Sequence, residues 1–136
     1  MRIACVSLDP KWEDKKSNLK ACSQAIQYAL NHLCSLIIFP EMTLTGFSMN
    51  TAITAEEPET SETIQFFQKE AQKGTHIIFG MALKTQHDIT NNLVLVSSAG
   101  EVLSSYAKIH PFSITQEGKY YEEGHSIVFK LLKEIS

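Results

Sequence analysis

Leu36-Ile37-Ile38-Phe39-Pro40-Glu41 is the stretch that decides the fold. A short, wholly apolar run closed by a proline is too brief for a helix and too uniform for a half-solvated strand. It is the pattern of a central strand covered on both faces. Upstream, Leu19, Cys22, Ile26, Ala29 and Leu33 recur at steps of 3, 4, 3 and 4, one apolar stripe on a helix from about Asp14 to Leu33. Lys15, Lys16, Lys20 and Gln27 fall on its other faces. Earlier still, residues 2–8 are mostly apolar and alternate poorly, which suits another buried strand, and Asp9-Pro10 ends it. Strand, helix, strand in that order reads as a parallel βαβ unit, so the fold class is α/β.

Downstream, residues 42–59 show no period and gather Thr, Asn, Glu and Pro, the composition of an active-site-type loop. A second helix begins near Thr60 or Ser61, with Ile64, Phe67 and Ala71 facing inward and Gly74 at its stop. Thr75 to Met81 is the next strand. Residues 92–97 and 102–106 are two more, joined by a tight hairpin at Ala99-Gly100-Glu101. Residues 109–124 are polar, aromatic and irregular. Ser126-Ile127-Val128-Phe129 suits a last strand, and Leu131 to Ser136 a short helix or a frayed end. No repeat and no linker divides residues 1–136.

Composition narrows the function classes. Of 136 residues, 43% are hydrophobic and 20% charged, a globular balance. Twelve basic residues against fifteen acidic give a net charge of -3, which offers nothing to nucleic acid and no basic run for anionic lipid. No apolar run approaches the roughly 20 residues that span a bilayer. Met1 to Leu8 is too short and too soon followed by charge for a signal peptide. The three cysteines, Cys5, Cys22 and Cys34, are odd in number and widely spaced, so neither a disulfide framework nor a zinc site is indicated. They read as small apolar residues in a reducing cytosol, with Cys5 packed in the core and Cys22 in the helix stripe. The five histidines lack metal-site spacing, the serines lack a nucleophile elbow, and the glycines form no phosphate loop. The charges of Lys11 to Lys16 are a solvated helix start.

Chemistry in α/β proteins collects where parallel strands end. Glu41 follows one strand across a proline, and Lys108 follows another that ends at Tyr106. A carboxylate there can act as general base and an ammonium can stabilise an oxyanion. Position alone does not settle this, because a Glu after a strand is more often a solvated loop residue. His110 can line the same pocket or be a hydrogen-bonded loop residue; Tyr120 and Tyr121 can shape a pocket or pack its rim.

Phe39-Pro40-Glu41-Met42, with Thr45-Gly46-Phe47 behind it, resembles the first catalytic block of the nitrilase superfamily of carbon–nitrogen hydrolases. Tyr106-Ala107-Lys108-Ile109-His110-Pro111-Phe112 resembles the second block, at a suitable separation. Trp12-Glu13-Asp14 with Asn18-Leu19 is similar to the start of the family's first helix. Glu117-Gly118-Lys119-Tyr120-Tyr121 and Gly124 resemble the loop after the lysine. The resemblance covers roughly residues 1–130 and is strongest to the amidase branch near ω-amidases. It implies an αββα sandwich and hydrolysis of a small amide through a Glu, a Lys and a Cys, without metal or organic cofactor. It makes Glu41 the general base, Lys108 the oxyanion stabiliser and Glu117 a supporting carboxylate.

The family's nucleophile lies in a later block of the form Cys-Tyr-Asp-x-Arg-Phe-Pro, and no such block stands in residues 1–136. The chemistry requires a nucleophile. Cys34 lies at the far end of the strand that delivers Glu41, roughly 20 Å away. The expectation is therefore a partial carbon–nitrogen hydrolase domain over residues 1–136, with the second half of the sandwich missing and no amidase activity alone. Three readings stay open: an enzyme fragment, one half of a split amidase whose partner chain supplies the cysteine, or a non-catalytic binding module. All three leave apolar sheet surface uncovered, which implies self-association or a partner.

Overall fold

Asp14 starts the first helix by accepting the Ser17 N–H on its side chain, and Ser61 starts the last by accepting that of Ile64. The computed structural model describes residues 1–112, 114 and 116–132. Its elements in chain order are β1 (Ile3–Cys5), α1 (Lys15–Asn31), β2 (Leu36–Ile38), α2 (Thr51–Thr54), β3 (Ala55–Glu56), α3 (Glu62–Ala71), β4 (His76–Lys84), β5 (Ile89–Val96) and β6 (Val102–Ala107). A 3-10 turn follows at Glu117–Lys119.

The strands form one sheet in the order β1-β2-β4-β5-β6, with β3 attached to β4. β1, β2 and β4 run parallel, as the βαβ reading requires. β4, β5 and β6 are antiparallel neighbours. β2 pairs with the start of β4, Leu36 opposite His76, and β3 with its end, Ala55 opposite Ala82. Since β5 takes the other edge of β4, a gap opens between β2 and β3. The chain after Phe39 fills it: the Thr43 N–H donates to Gly80 O at 2.9 Å, and the Gly80 N–H to Thr43 Oγ1 at 3.1 Å.

Gly80 makes that closeness possible. A Cβ there would lie 2.7 Å from both Glu41 Cα and Met42 N, backbone atoms that cannot swing aside. Gly80→Ala is expected to cost about 1–3 kcal/mol in urea unfolding, because the turn must be pushed off β4. A wild-type midpoint would refute this account of the turn.

Both larger helices cover one face of the sheet. Cys22, Ile26 and Ala29 from α1, and Ile64, Phe67 and Ala71 from α3, bury against Ile37, Phe39, Ile77, Phe79, Val94 and Val96. Phe67 stacks on Phe79 with ring centroids 4.0 Å apart. Leu33, expected on the stripe of α1, is exposed because the helix ends at Asn31 and Leu33 takes a left-handed turn. Among the described residues no helix is long and apolar enough to cross a membrane.

Neither larger helix covers the opposite face; Met42, Ala82 and Tyr121 form a smaller buried cluster there, the rest is bare, and three expectations change. Cys5, expected in the core, is exposed. β1 is an edge strand: Ala4 and Val6 pack against the helical core, whereas Ile3 and Cys5 point to the bare face. Ser126–Phe129 is not a strand; residues 125–132 have no regular structure, and Ile127, Val128 and Leu132 line a cleft with Leu93, Leu95 and Tyr106. The loop 42–59 contains α2 and β3 rather than irregular chain throughout. The expected tail helix falls partly on residues 133–136, outside the described residues.

Candidate functional site

Glu41 stands in the turn between β2 and β3. Pro40 ends the ladder, and Met42 adopts a left-handed backbone. Thr43 Oγ1 donates to Pro40 O at 2.7 Å and closes the turn. Lys108 follows β6 directly, and its backbone N–H donates to Asn91 O at 2.8 Å. Gly124 N–H donates to Lys108 O at 2.8 Å, and a Cβ on Gly124 would come within 2.1 Å of Ala107 O. The returning loop is thereby seated on the strand end that bears the lysine. Glu117 opens the 3-10 turn and is fully buried.

These residues meet. Lys108 Nζ donates to Glu41 Oε1 at 2.9 Å and to Glu117 Oε2 at 3.0 Å. The lysine thus sits between two carboxylates that come from loops 76 positions apart in the chain (117 minus 41). Asn91, on β5, completes the cluster, donating from Nδ2 to Glu41 Oε1 at 2.5 Å and to Glu117 Oε1 at 2.9 Å. The Phe112 N–H also donates to Glu117 Oε2. The Phe47 ring lies 5.3 Å from Lys108 Nζ, a cation–π contact.

The electrostatics follow from these contacts. Burial works to lower the pKa of Lys108, but hydrogen bonds and charge from Glu41 and Glu117 outweigh it, so the ammonium is held charged. Burial works to raise the pKa of Glu117. The Phe112 N–H, Asn91 and Lys108 reverse that and hold it below the usual carboxylate range. A buried carboxylate is kept ionised beside an ammonium, an arrangement that can stabilise a developing negative charge and hold a base ready.

All three residues expected from the sequence, Glu41, Lys108 and Glu117, are therefore brought together. His110 is exposed. Tyr121 is buried, its hydroxyl donating to Ser48 O at 2.6 Å and meeting Thr54 Oγ1 at 2.7 Å, so it packs the loop onto α2. Tyr120 is exposed. Sequence reading missed Asn91. Its signal was an Asn pair in a run of strand-forming residues, where Asn is disfavoured.

The three cysteines lie elsewhere. Cys22 is sealed under α1, where burial pushes its thiol up to about 12. Cys34 precedes β2, at the end opposite Glu41. Cys5 is on the bare face but level with Leu95, four positions along β5 from Asn91. With three strand spacings between β1 and β5, that is roughly 20 Å.

Comparison with known proteins decides the family. The carbon–nitrogen hydrolase family model matches residues 2–133. The chain belongs to the carbon–nitrogen hydrolase family. Among relatives of this chain, the ω-amidase YafV of Escherichia coli (strain K12) is 28% identical over 129 residues, covering 94% of this chain and 48% of that protein. The 2-oxoglutaramate amidase of Bacillus subtilis (strain 168) is 23% identical over 124 residues, 90% of this chain and 48% of that one. A CN-hydrolase superfamily protein of Xanthomonas campestris, solved with an arsenic adduct in its active site, superposes with a TM-score of 0.84 at 25% identity, over 93% of this chain and 47% of its own. An amidase from Nesterenkonia sp. AN1, solved with acrylamide, shares the fold with a TM-score of 0.81 at 19% identity and coverage of 93% and 49%. The chain thus spans about half the length of each of these relatives.

Proposed function

We propose that this hydrolase acts on a small amide, with Glu41 as general base, Lys108 as oxyanion stabiliser and Glu117 as the carboxylate that orients Lys108. The observation that carries the reading is the single ammonium bridging Glu41 and Glu117 at 2.9 and 3.0 Å, at the ends of β2 and β6. A thiol attacks the amide carbon while its proton passes to Glu41. Lys108 faces the oxyanion of the tetrahedral adduct. Glu41 returns the proton to the leaving nitrogen as the carbon–nitrogen bond breaks. Water, deprotonated by the same carboxylate, then cleaves the thioester and releases the acid.

The thiol comes from polypeptide outside residues 1–136, either a continuation of the same protein or a separate chain, since Cys5, Cys22 and Cys34 do not reach the cluster. The residues 1–136 are then a partial hydrolase domain, and three free thiols suit a reducing cytosol. The test is ammonia release from small amides such as glutarate monoamide. Residues 1–136 alone are expected to release none. The same chain together with the polypeptide that bears a Cys-Tyr-Asp-x-Arg-Phe-Pro block is expected to turn over. Turnover by the chain alone, or silence of the completed protein across the amide set, would overturn the reading.

The bare sheet face supports a partner as well. Ile3 is 44% exposed and Leu93 42%, on the side away from the helices. Residues 1–136 are expected to self-associate through this face, with sedimentation showing mass above the monomer at micromolar concentration. A monomer with one sharp two-state melting transition would contradict this.

A further inference from the structure

Asn91 is the one member of the cluster that carries no charge, and it touches both carboxylates. Its side chain is buried, and its Nδ2 uses both hydrogens, one on Glu41 Oε1 and one on Glu117 Oε1. Lys108 also holds Glu41 by Oε1. Two donors therefore grip the same oxygen of Glu41, and among the described residues Oε2 takes no hydrogen bond. Glu117 is held differently: Asn91 takes Oε1, while Lys108 and the Phe112 N–H take Oε2.

This asymmetry divides the work between the carboxylates. Glu117 has donors on both oxygens and is fully buried, so it is poorly placed to exchange a proton. Glu41 is anchored by one oxygen and open at the other. Lys108 alone could not fix its orientation, because an ammonium on a flexible stem tolerates many approaches. A planar amide fixed in a β-strand does not. Asn91 stands opposite Ala82 in the β4–β5 ladder, and its own carbonyl accepts from the Lys108 N–H. One rigid residue thus sets the lysine backbone and both carboxylates.

We infer that Asn91 is a positioning residue of this hydrolase, holding Glu41 by Oε1 so that Oε2 is the oxygen that takes and returns the proton. The inference rests on the amidase reading above, and it adds an atom-level assignment and a fourth member to the site. Asn91 does not touch the reacting atoms; it acts through Glu41.

The test separates the contact from its consequence. Asn91→Leu keeps the size of the side chain and removes both donors; Asn91→Asp keeps its shape and serves if Asn91→Leu does not fold. In carbon-13 spectra of residues 1–136, the carboxyl resonances of Glu41 and Glu117 are expected to shift in either variant. The acid midpoint of Glu117 should move upward, because one of the donors that stabilise its ionised form is gone. Asn92→Ala, whose amide among the described residues bonds Thr90 and Ser105, should move neither resonance. In the completed enzyme, kcat is expected to fall on the order of 10- to 100-fold with KM changed less than about threefold, the signature of a misoriented base rather than a damaged binding site. Unmoved resonances would overturn the contact. Shifted resonances with kcat intact would overturn the positioning role. Shifted resonances in a wild-type protein that hydrolyses no amide would overturn the amidase reading, and the role of Oε2 with it, while the contact stands.

Discussion

Glu41→Gln is expected to lower kcat/KM for amide hydrolysis by about 10³-fold in the completed protein under the proposed mechanism, while the protein melts close to the wild-type temperature. The substitution keeps the size of the side chain and an oxygen that accepts from Asn91 and Lys108, but it removes the site that receives a proton. Its structural effect is small because the Glu41 side chain is 47% exposed. Surface pairs of that kind contribute about 1 kcal/mol or less. Lys108→Met should lose about 10²- to 10³-fold, the usual effect of deleting one oxyanion donor. It should also melt lower, because Glu117 keeps its charge and loses its counter-ion. Lys108→Arg is not expected to rescue it, because a planar fork does not fit the place of a compact ammonium between two carboxylates and beside the Phe47 ring. The measurement is steady-state ammonia release alongside thermal melts of each variant. A Glu41→Gln protein that keeps more than a tenth of wild-type activity would remove Glu41 from the proposed mechanism.

The parts of this fold that were legible in the sequence are those decided locally. Leu36 to Phe39 could be assigned because a short apolar run has few alternatives, and α1 and α3 because their apolar stripes recur at helical spacing. Where the reading failed, the deciding neighbour is distant or absent from the sheet. Cys5 and Ile3 are as apolar as a core strand demands, yet β1 is an edge strand and both are exposed. Ser126 to Phe129 has strand composition, but no ladder receives it and it borders the bare face instead.

The candidate site divides in the same way. Glu41, Lys108 and Glu117 stand out because each follows or opens a recognisable block. Asn91 does not, because its role depends on the register of β4 against β5, which puts it opposite Ala82 and beside a turn 50 positions away. Gly80 and Gly124 are similar cases. Each matters for a backbone approach made by a remote segment; Gly124 stood out only through the resemblance of its loop, and Gly80 has no local signal to betray it.

Glu117 ties this site to the stability of the protein. Its carboxylate is fully buried, and three kinds of donor hold it: the Phe112 N–H, Asn91 and Lys108. The folded pKa therefore lies below the unfolded value of about 4.3. In acid the unfolded chain binds more protons at this residue than the folded one, so stability must fall as pH falls. The contribution is complete above the unfolded value and is lost as pH drops through the folded one. Glu56 adds to the same limb: burial raises its pKa, but Lys15, Ser61 and Thr63 bring it below the ordinary range. Lys108 sets the alkaline limb with the opposite sign. Its pKa is raised, so its contribution is complete below the ordinary lysine value of about 10.4 and is lost as pH climbs through the folded one. Glu117→Leu at pH 7 leaves partly exposed Lys108 and buried Asn91 with half their partners, and should cost about 3 kcal/mol. Glu117→Gln keeps the shape and should lose less. In both variants the difference from wild type shrinks as pH falls below the unfolded value of about 4.3, because the unfolded wild-type chain then binds a proton there that the folded one does not. Urea unfolding at each pH gives the comparison. Equal stabilities at pH 7, or a gap that does not narrow in acid, would mean that the Glu117 charge does not hold this loop against the sheet.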